Sequence, residues 1–153
     1  MTDPFFQLWF AVRYVHVASA ALLAGGALMV AAMWLQAGAS IDSGAAYAAA
    51  RAYEWIFWSA IAVTVATGVS NLGLKGDGLL GPSTGWGSML TAKLVAVFLL
   101  LAGSSVRSDL VIRSAGAAPT RRIRTLVAAF YGATSAIVLV ALWIGLGLAH
   151  GRY

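Results

Sequence analysis

The chain contains no cysteine, which excludes disulfides, thiolate metal sites and cysteine nucleophiles and says little about compartment. Charge is also scarce. Asp, Glu, Lys and Arg make up 10% of the 153 residues, and hydrophobic residues make up 61%. Soluble globular proteins carry about 25% charged and roughly 45–50% apolar residues. A soluble domain of this length cannot bury so much apolar surface, so the composition indicates a single-domain integral membrane protein. No Walker loop, zinc-ligand spacing, nucleophile elbow or acid pair is present. There is no low-complexity tail and no clear internal repeat. The opening "MTDPFF" has no basic n-region, and no short apolar run ends at a convincing cleavage site, so the first apolar segment is expected to be retained.

Four apolar stretches are long enough to span, since a span needs about 20 residues at a rise of 1.5 Å each. They run over about 8–36, 53–74, 87–106 and 126–149. The period-2 alternation of membrane β-strands is absent. The expected fold is therefore an all-α, four-helix transmembrane bundle. The connectors are short, with Ser43, Ser83 or Thr84, and Thr120 as candidate helix caps.

The net charge of +5 would suggest nucleic acid in a soluble protein, but the cations cluster by topology and no nucleic-acid partner is expected. Arg107, Arg113, Arg121, Arg122 and Arg124 fall in the third connector, and Arg51 lies near the first. The positive-inside rule sends these to the cytoplasm and both termini outward, in a bacterial inner (cytoplasmic) membrane. Trp9, Trp86 and Trp143 then form an outer aromatic belt, with Trp34, Trp55 and Trp58 as the inner one. The arginines at 121–124 are expected to touch anionic lipid, and Glu54 is expected to pair with Arg51 at the interface.

Within the first span, "VRYVHVASAALLAGG" places Arg13 and His16 among Val, Ala, Leu and Gly. An ionisable group inside a span costs about 2.5–3.5 kcal/mol on insertion scales and usually faces the bundle interior. His16 lies about 12 Å below the outer end of its helix, and Lys93 about 9 Å below the outer end of the third. The two run in the same direction, so imidazole and amine reach similar depth. His150 closes the fourth helix. Two readings of His16 compete: a hydrogen bond to a neighbouring carbonyl or to Ser19, or a ligand role, with Ser70 and Asn71 able to support the site. His16, Lys93 and His150 are the candidate cofactor-binding residues. For copper, His16 and Met89 form a candidate ligand pair, because Cu(I) favours imidazole and thioether. Met89 also reads as an ordinary packing residue. The faces His16–Ala20–Leu23–Ala27 and Ala128–Gly132–Ala136 are small enough for close helix approach.

The stretches "YVHVASAALLAGGALM", "AVTVATGVSNLGL" and "GPSTGWGSMLTAKLVAVFLLLAG" resemble the copper resistance protein D (CopD) domain over roughly residues 10–113. The matching positions are His16, Gly25, Gly26, Thr67, Gly68, Gly87, Leu90 and Lys93. The chain is also similar in length, and in its His and Lys pair, to four-helix membrane protoporphyrinogen oxidases of the HemJ type. The first resemblance implies copper handling, and the second implies haem b or porphyrin redox chemistry. The expected function is thus CopD-like handling of copper or haem b around His16. The rival is a non-catalytic accessory subunit of a larger respiratory or electron-transfer complex, or a homo-oligomer, packed through the small-residue faces.

Overall fold

A computed structural model describes residues 4–74, 83–114 and 119–150, and the side chains of residues 4, 73, 74, 149 and 150 are not part of that description. It contains α1 (Pro4–Gln36), α2 (Ser43–Leu74), α3 (Gly85–Arg113) and α4 (Arg121–His150). All four are long and apolar enough to cross a membrane. Among the described residues there is no strand, only an isolated bridge between Ala37 and Ile41 in the α1–α2 turn. The chain is therefore a multi-pass helical membrane protein surrounded by lipid. Large apolar side chains such as Phe98, Met29, Leu28 and Ile112 point outward, which a bilayer solvates at no cost.

The helices extend past the boundaries that apolarity alone suggests. α2 begins ten residues before Tyr53, and α3 continues from Val106 to Arg113. Arg107 and Arg113 accordingly belong to a helix and not to a connector. Asp42, and not Ser43, caps α2: its Oδ2 accepts the Ala45 N–H at 3.0 Å. Thr84 caps α3 by accepting the Gly87 N–H at 3.0 Å, and Thr120 accepts more loosely from Ile123 at 3.4 Å. Between α1 and α2, Gly38 takes φ +77°, a left-handed conformation that glycine adopts without strain. Its N–H donates to the Ile41 carbonyl at 2.8 Å. Arg124, at the start of α4, donates from Nη1 to the Ala37 carbonyl beside this turn, so one of the basic residues expected at the lipid surface grips the end of α1.

α1 packs along both α2 and α4, α3 packs along α4, and α2 barely touches α3. Ala20, Leu23, Ala27, Ala31 and Trp34 of α1 meet Ala50, Tyr53, Phe57 and Ile61 of α2 and Val127, Ala128, Tyr131 and Val138 of α4 in one core. The α1 face predicted from Ala20, Leu23 and Ala27 is buried. Trp34 lies in this core and not in an aromatic belt, whereas Trp55 and Trp143 are exposed as a belt requires. On α4 the small-residue seam is shorter than expected: Ala128 is buried, Gly132 half-buried and Ala136 exposed. Tyr53 shows why one glycine of the α1 pair matters. Its ring lies where a Cβ on Gly26 would sit, 2.6 Å from Cε2, and its hydroxyl donates to the Leu23 carbonyl at 2.6 Å. Gly25 has open space at the same position. The close approach that Gly26 permits is thus taken up by a tyrosine of α2.

Candidate functional site

Two polar layers cross the bundle at different depths. The first lies in the half nearer the α1 N-terminus. His16 is half-buried, and its Nδ1 sits 2.9 Å from the Thr64 carbonyl and 3.0 Å from Thr67 Oγ1. A carbonyl oxygen only accepts, so Nδ1 carries the proton and Nε2 of the neutral ring holds the free lone pair. Thr67 Oγ1 lies 2.7 Å from the Val63 carbonyl, to which it donates, leaving a lone pair turned to the imidazole. The ring rests against Gly68, where a Cβ would come within 3.3 Å of Cε1. Thr64, Thr67 and Gly68 are thus one cradle on one turn of α2. Ser19 and Ser70 do not contribute, since they bond the Val15 and Ala66 carbonyls of their own helices.

Lys93 is half-buried on α3 and near enough to His16 to interact electrostatically. Its Nζ lies against Gly145 of α4, 3.1 Å from where a Cβ would be. No ion pair holds it among the described residues. Met89, one turn earlier, is half-buried, while the hydrogen bonds of His16 go to α2. His150 closes α4, but its side chain lies outside the described residues. Arg13 is held at the rim, with its guanidinium 5.1 Å from the centre of the Trp9 ring. Among the described residues no three His, Cys, Asp or Glu side chains converge as a metal-ligand group.

The second layer lies in the opposite half and is the more tightly built. Arg107 of α3 is fully buried. Its Nε and Nη2 donate to Glu54 Oε1 and Oε2 at 2.8 and 3.1 Å, a bidentate pair, and its Nη1 donates to Thr134 Oγ1 at 2.6 Å. Tyr131 donates to Glu54 Oε1 at 2.6 Å, and Ser108 Oγ lies 2.5 Å from Oε2. Each carboxylate oxygen is therefore doubly bonded. The guanidinium carbon sits 4.4, 4.8 and 5.5 Å from the ring centres of Phe57, Tyr131 and Tyr53. A cation boxed by three aromatic faces, with a forked carboxylate partner, is how a buried charge is made tolerable. Trp58 Nε1 donates to Ser108 Oγ at 3.3 Å, adding a bond across the sparse α2–α3 contact.

Glu54 does not pair with Arg51, as interfacial position suggests, but with Arg107. The sequence holds one signal for this. Glu54 is the sole glutamate, and it lies inside an apolar helix where only a buried cation could balance it. The aromatic box and Thr134 have no such signal, because Tyr53, Phe57 and Tyr131 read as ordinary core. No family model, no curated protein and no solved structure matches this chain.

Proposed function

We propose that this membrane protein handles a metal centre, haem b or copper, through the Nε2 atom of His16. The observation that supports this reading is the 2.9 Å approach of Nδ1 to the Thr64 carbonyl, which favours the proton on Nδ1 and leaves the Nε2 lone pair of the neutral ring available to a metal. Metal-binding imidazoles use the same second bond to a carbonyl or carboxylate to set ring orientation and raise basicity.

The donor set fits haem b better than copper. A porphyrin supplies four nitrogens to its iron, so one imidazole suffices as the protein ligand. A copper ion held by His16 and Met89 would depend on a thioether, with the Lys93 amine nearby in its neutral form or turned aside. In the haem reading His16 would hold the group through its imidazole and Lys93 would balance its acidic side chains, and the group would supply one-electron chemistry. His150 and Met89 are second candidates for ligation. The resemblance of the His16, Gly25, Gly26, Thr67, Gly68 and Lys93 pattern to CopD and HemJ-type proteins adds to this. The chain would reside in a bacterial inner membrane with both termini outward.

The decisive measurement is the visible spectrum and metal content of the purified protein, produced with haem and copper available. A Soret band that disappears in His16→Ala, with helicity retained, is expected. Bound copper lost in the same variant would move the assignment to copper. A colourless, metal-free protein that co-purifies with other membrane subunits would overturn both and leave an accessory role.

A further inference from the structure

α4 opens with three arginines that have different surroundings. Arg124 turns inward, where its Nη1 donates to the Ala37 carbonyl at the end of α1. Arg121 and Arg122 are exposed, and neither has an ion-pair partner among the described residues. The first turn of α4 carries no acidic residue to offset them. Arg113 at the end of α3, by contrast, is paired with Asp109 at 2.8 Å.

Arg121 and Arg122 border an open hollow of about 630 Å³ whose other lining residues are Thr125, Leu126 and Ala129. Arg122, Thr125, Leu126 and Ala129 recur at i, i+3, i+4 and i+7, so they form one strip along α4. The strip is charged at the helix end and apolar two turns further in. Thr125 Oγ1 lies 3.1 Å from the Arg121 carbonyl, to which it donates, so recognition of an acidic group falls to the guanidiniums. Beyond Leu126 the same face continues through Ala129, Ala133 and Ala136, all exposed and all small. α4 has 30 residues, which makes it about 45 Å long, against a hydrocarbon layer of about 30 Å. Its arginine end therefore reaches the headgroup phosphates, while Ala129, about 12 Å further along, lies among acyl chains.

Charge and polarity together select the occupant. A free phosphate would satisfy the arginines and leave the apolar part of the hollow uncovered. A zwitterionic lipid would cover the apolar part, but it brings its own cation and leaves the arginines unbalanced. An acidic phospholipid meets both demands, since guanidiniums bind phosphate oxygens through forked, charge-assisted hydrogen bonds. We propose that this hollow seats one acidic phospholipid, with its phosphate at Arg121 and Arg122 and an acyl chain along Leu126 and Ala129. The seat lies at the opposite end of the bundle from His16 and does not depend on what His16 binds.

The test is native mass spectrometry of the full chain released from nanodiscs of equimolar phosphatidylglycerol and phosphatidylcholine. One phosphatidylglycerol per chain is expected to stay bound, in several-fold excess over phosphatidylcholine. Each basic side chain near a membrane surface is worth about fivefold in affinity for acidic lipid, so Arg121→Gln/Arg122→Gln should abolish the preference. Arg51→Gln removes an exposed arginine outside the hollow and should leave the preference unchanged. Ala129→Trp keeps both charges, fills the apolar part and should also reduce retention. Ala129→Leu replaces it if thermal melting shows that the tryptophan variant does not fold. Excess glycerol phosphate, the headgroup chemistry without chains, should not displace the lipid. Equal retention of the two lipids overturns the proposal, as does undiminished retention in the folded double-arginine or Ala129 variant. A loss in Arg51→Gln as large as in the double variant overturns it too, because net charge alone would then attract the lipid. Displacement by glycerol phosphate would make this a free-anion site and overturn the assignment to lipid.

Discussion

At the scale of single residues, Glu54 and Arg107 dominate the energetics. Removing one member of a buried ion pair strands the other and costs about 3–5 kcal/mol, whereas replacing both with apolar groups of similar volume is often neutral. Glu54→Gln and Arg107→Met are each expected to lower stability by about that amount in mixed-micelle unfolding. The double variant Glu54→Leu/Arg107→Met should recover most of the loss. A double variant as unstable as the sum of the singles would mean the two side chains act separately. The Gly25–Gly26 pair gives a sharper contrast, because the two neighbours differ in what surrounds them. Gly26→Ala drives a methyl into the Tyr53 ring and threatens the bond from its hydroxyl to Leu23, and it should cost about 1–3 kcal/mol. Gly25→Ala meets open space and should gain up to about 1 kcal/mol from helix propensity. Paired thermal melts of the two variants check this.

At the scale of elements, the caps and the helix ends decide how the spans are framed. Asp42 caps α2 through a carboxylate bond to Ala45, so Asp42→Ala should lower stability by about 1 kcal/mol, and Ser43→Ala should have a much smaller effect. Reversal of that order in denaturant titrations would reassign the cap. Hydropathy finds each span because lipid demands an unbroken apolar stretch with every backbone group paired internally. It finds the ends less well. In "LLLAGSSVRSDL" the serines, Arg107 and Asp109 dilute apolarity, so the expected end at Val106 falls two turns short of Arg113. The helix continues because Arg107 is neutralised by a partner on another element, which no window along one segment can register. The same limit explains the Glu54 pairing. His16 was visible as an anomaly in an apolar run, but its cradle of Thr64, Thr67 and Gly68 follows from the register between α1 and α2, which sequence spacing does not determine.

At the scale of the whole molecule, the two polar layers divide the labour. The Glu54–Arg107 layer draws α2, α3 and α4 together through bonds from Arg107, Ser108, Tyr131 and Thr134, and Tyr53 from the same layer reaches α1 through Leu23. Among the described residues Arg107, Ser108 and Tyr131 all bond protein partners in this layer, which suits a rigid anchor. The His16 layer is looser: among the described residues it holds a half-buried imidazole with a lone pair on Nε2 and a half-buried amine that no ion pair holds. A site that receives a ligand needs such unspent valence, and a scaffold needs its absence. If haem or copper binds at His16, Glu54→Gln should leave the spectrum or metal content of the folded fraction unchanged while lowering its stability. Loss of the centre from still-folded Glu54→Gln protein would show that the layers are not separable.

The sparse contact between α2 and α3 has a mechanical outcome. Three of the four walls are zipped along their length by interlocking side chains, while the fourth is fastened by a clasp formed by Glu54, Arg107, Ser108 and Trp58. Undoing a clasp parts no long apolar seam. Lateral breathing toward the lipid along this side is therefore opposed by one buried ion pair and its hydrogen bonds, and not by an apolar seam.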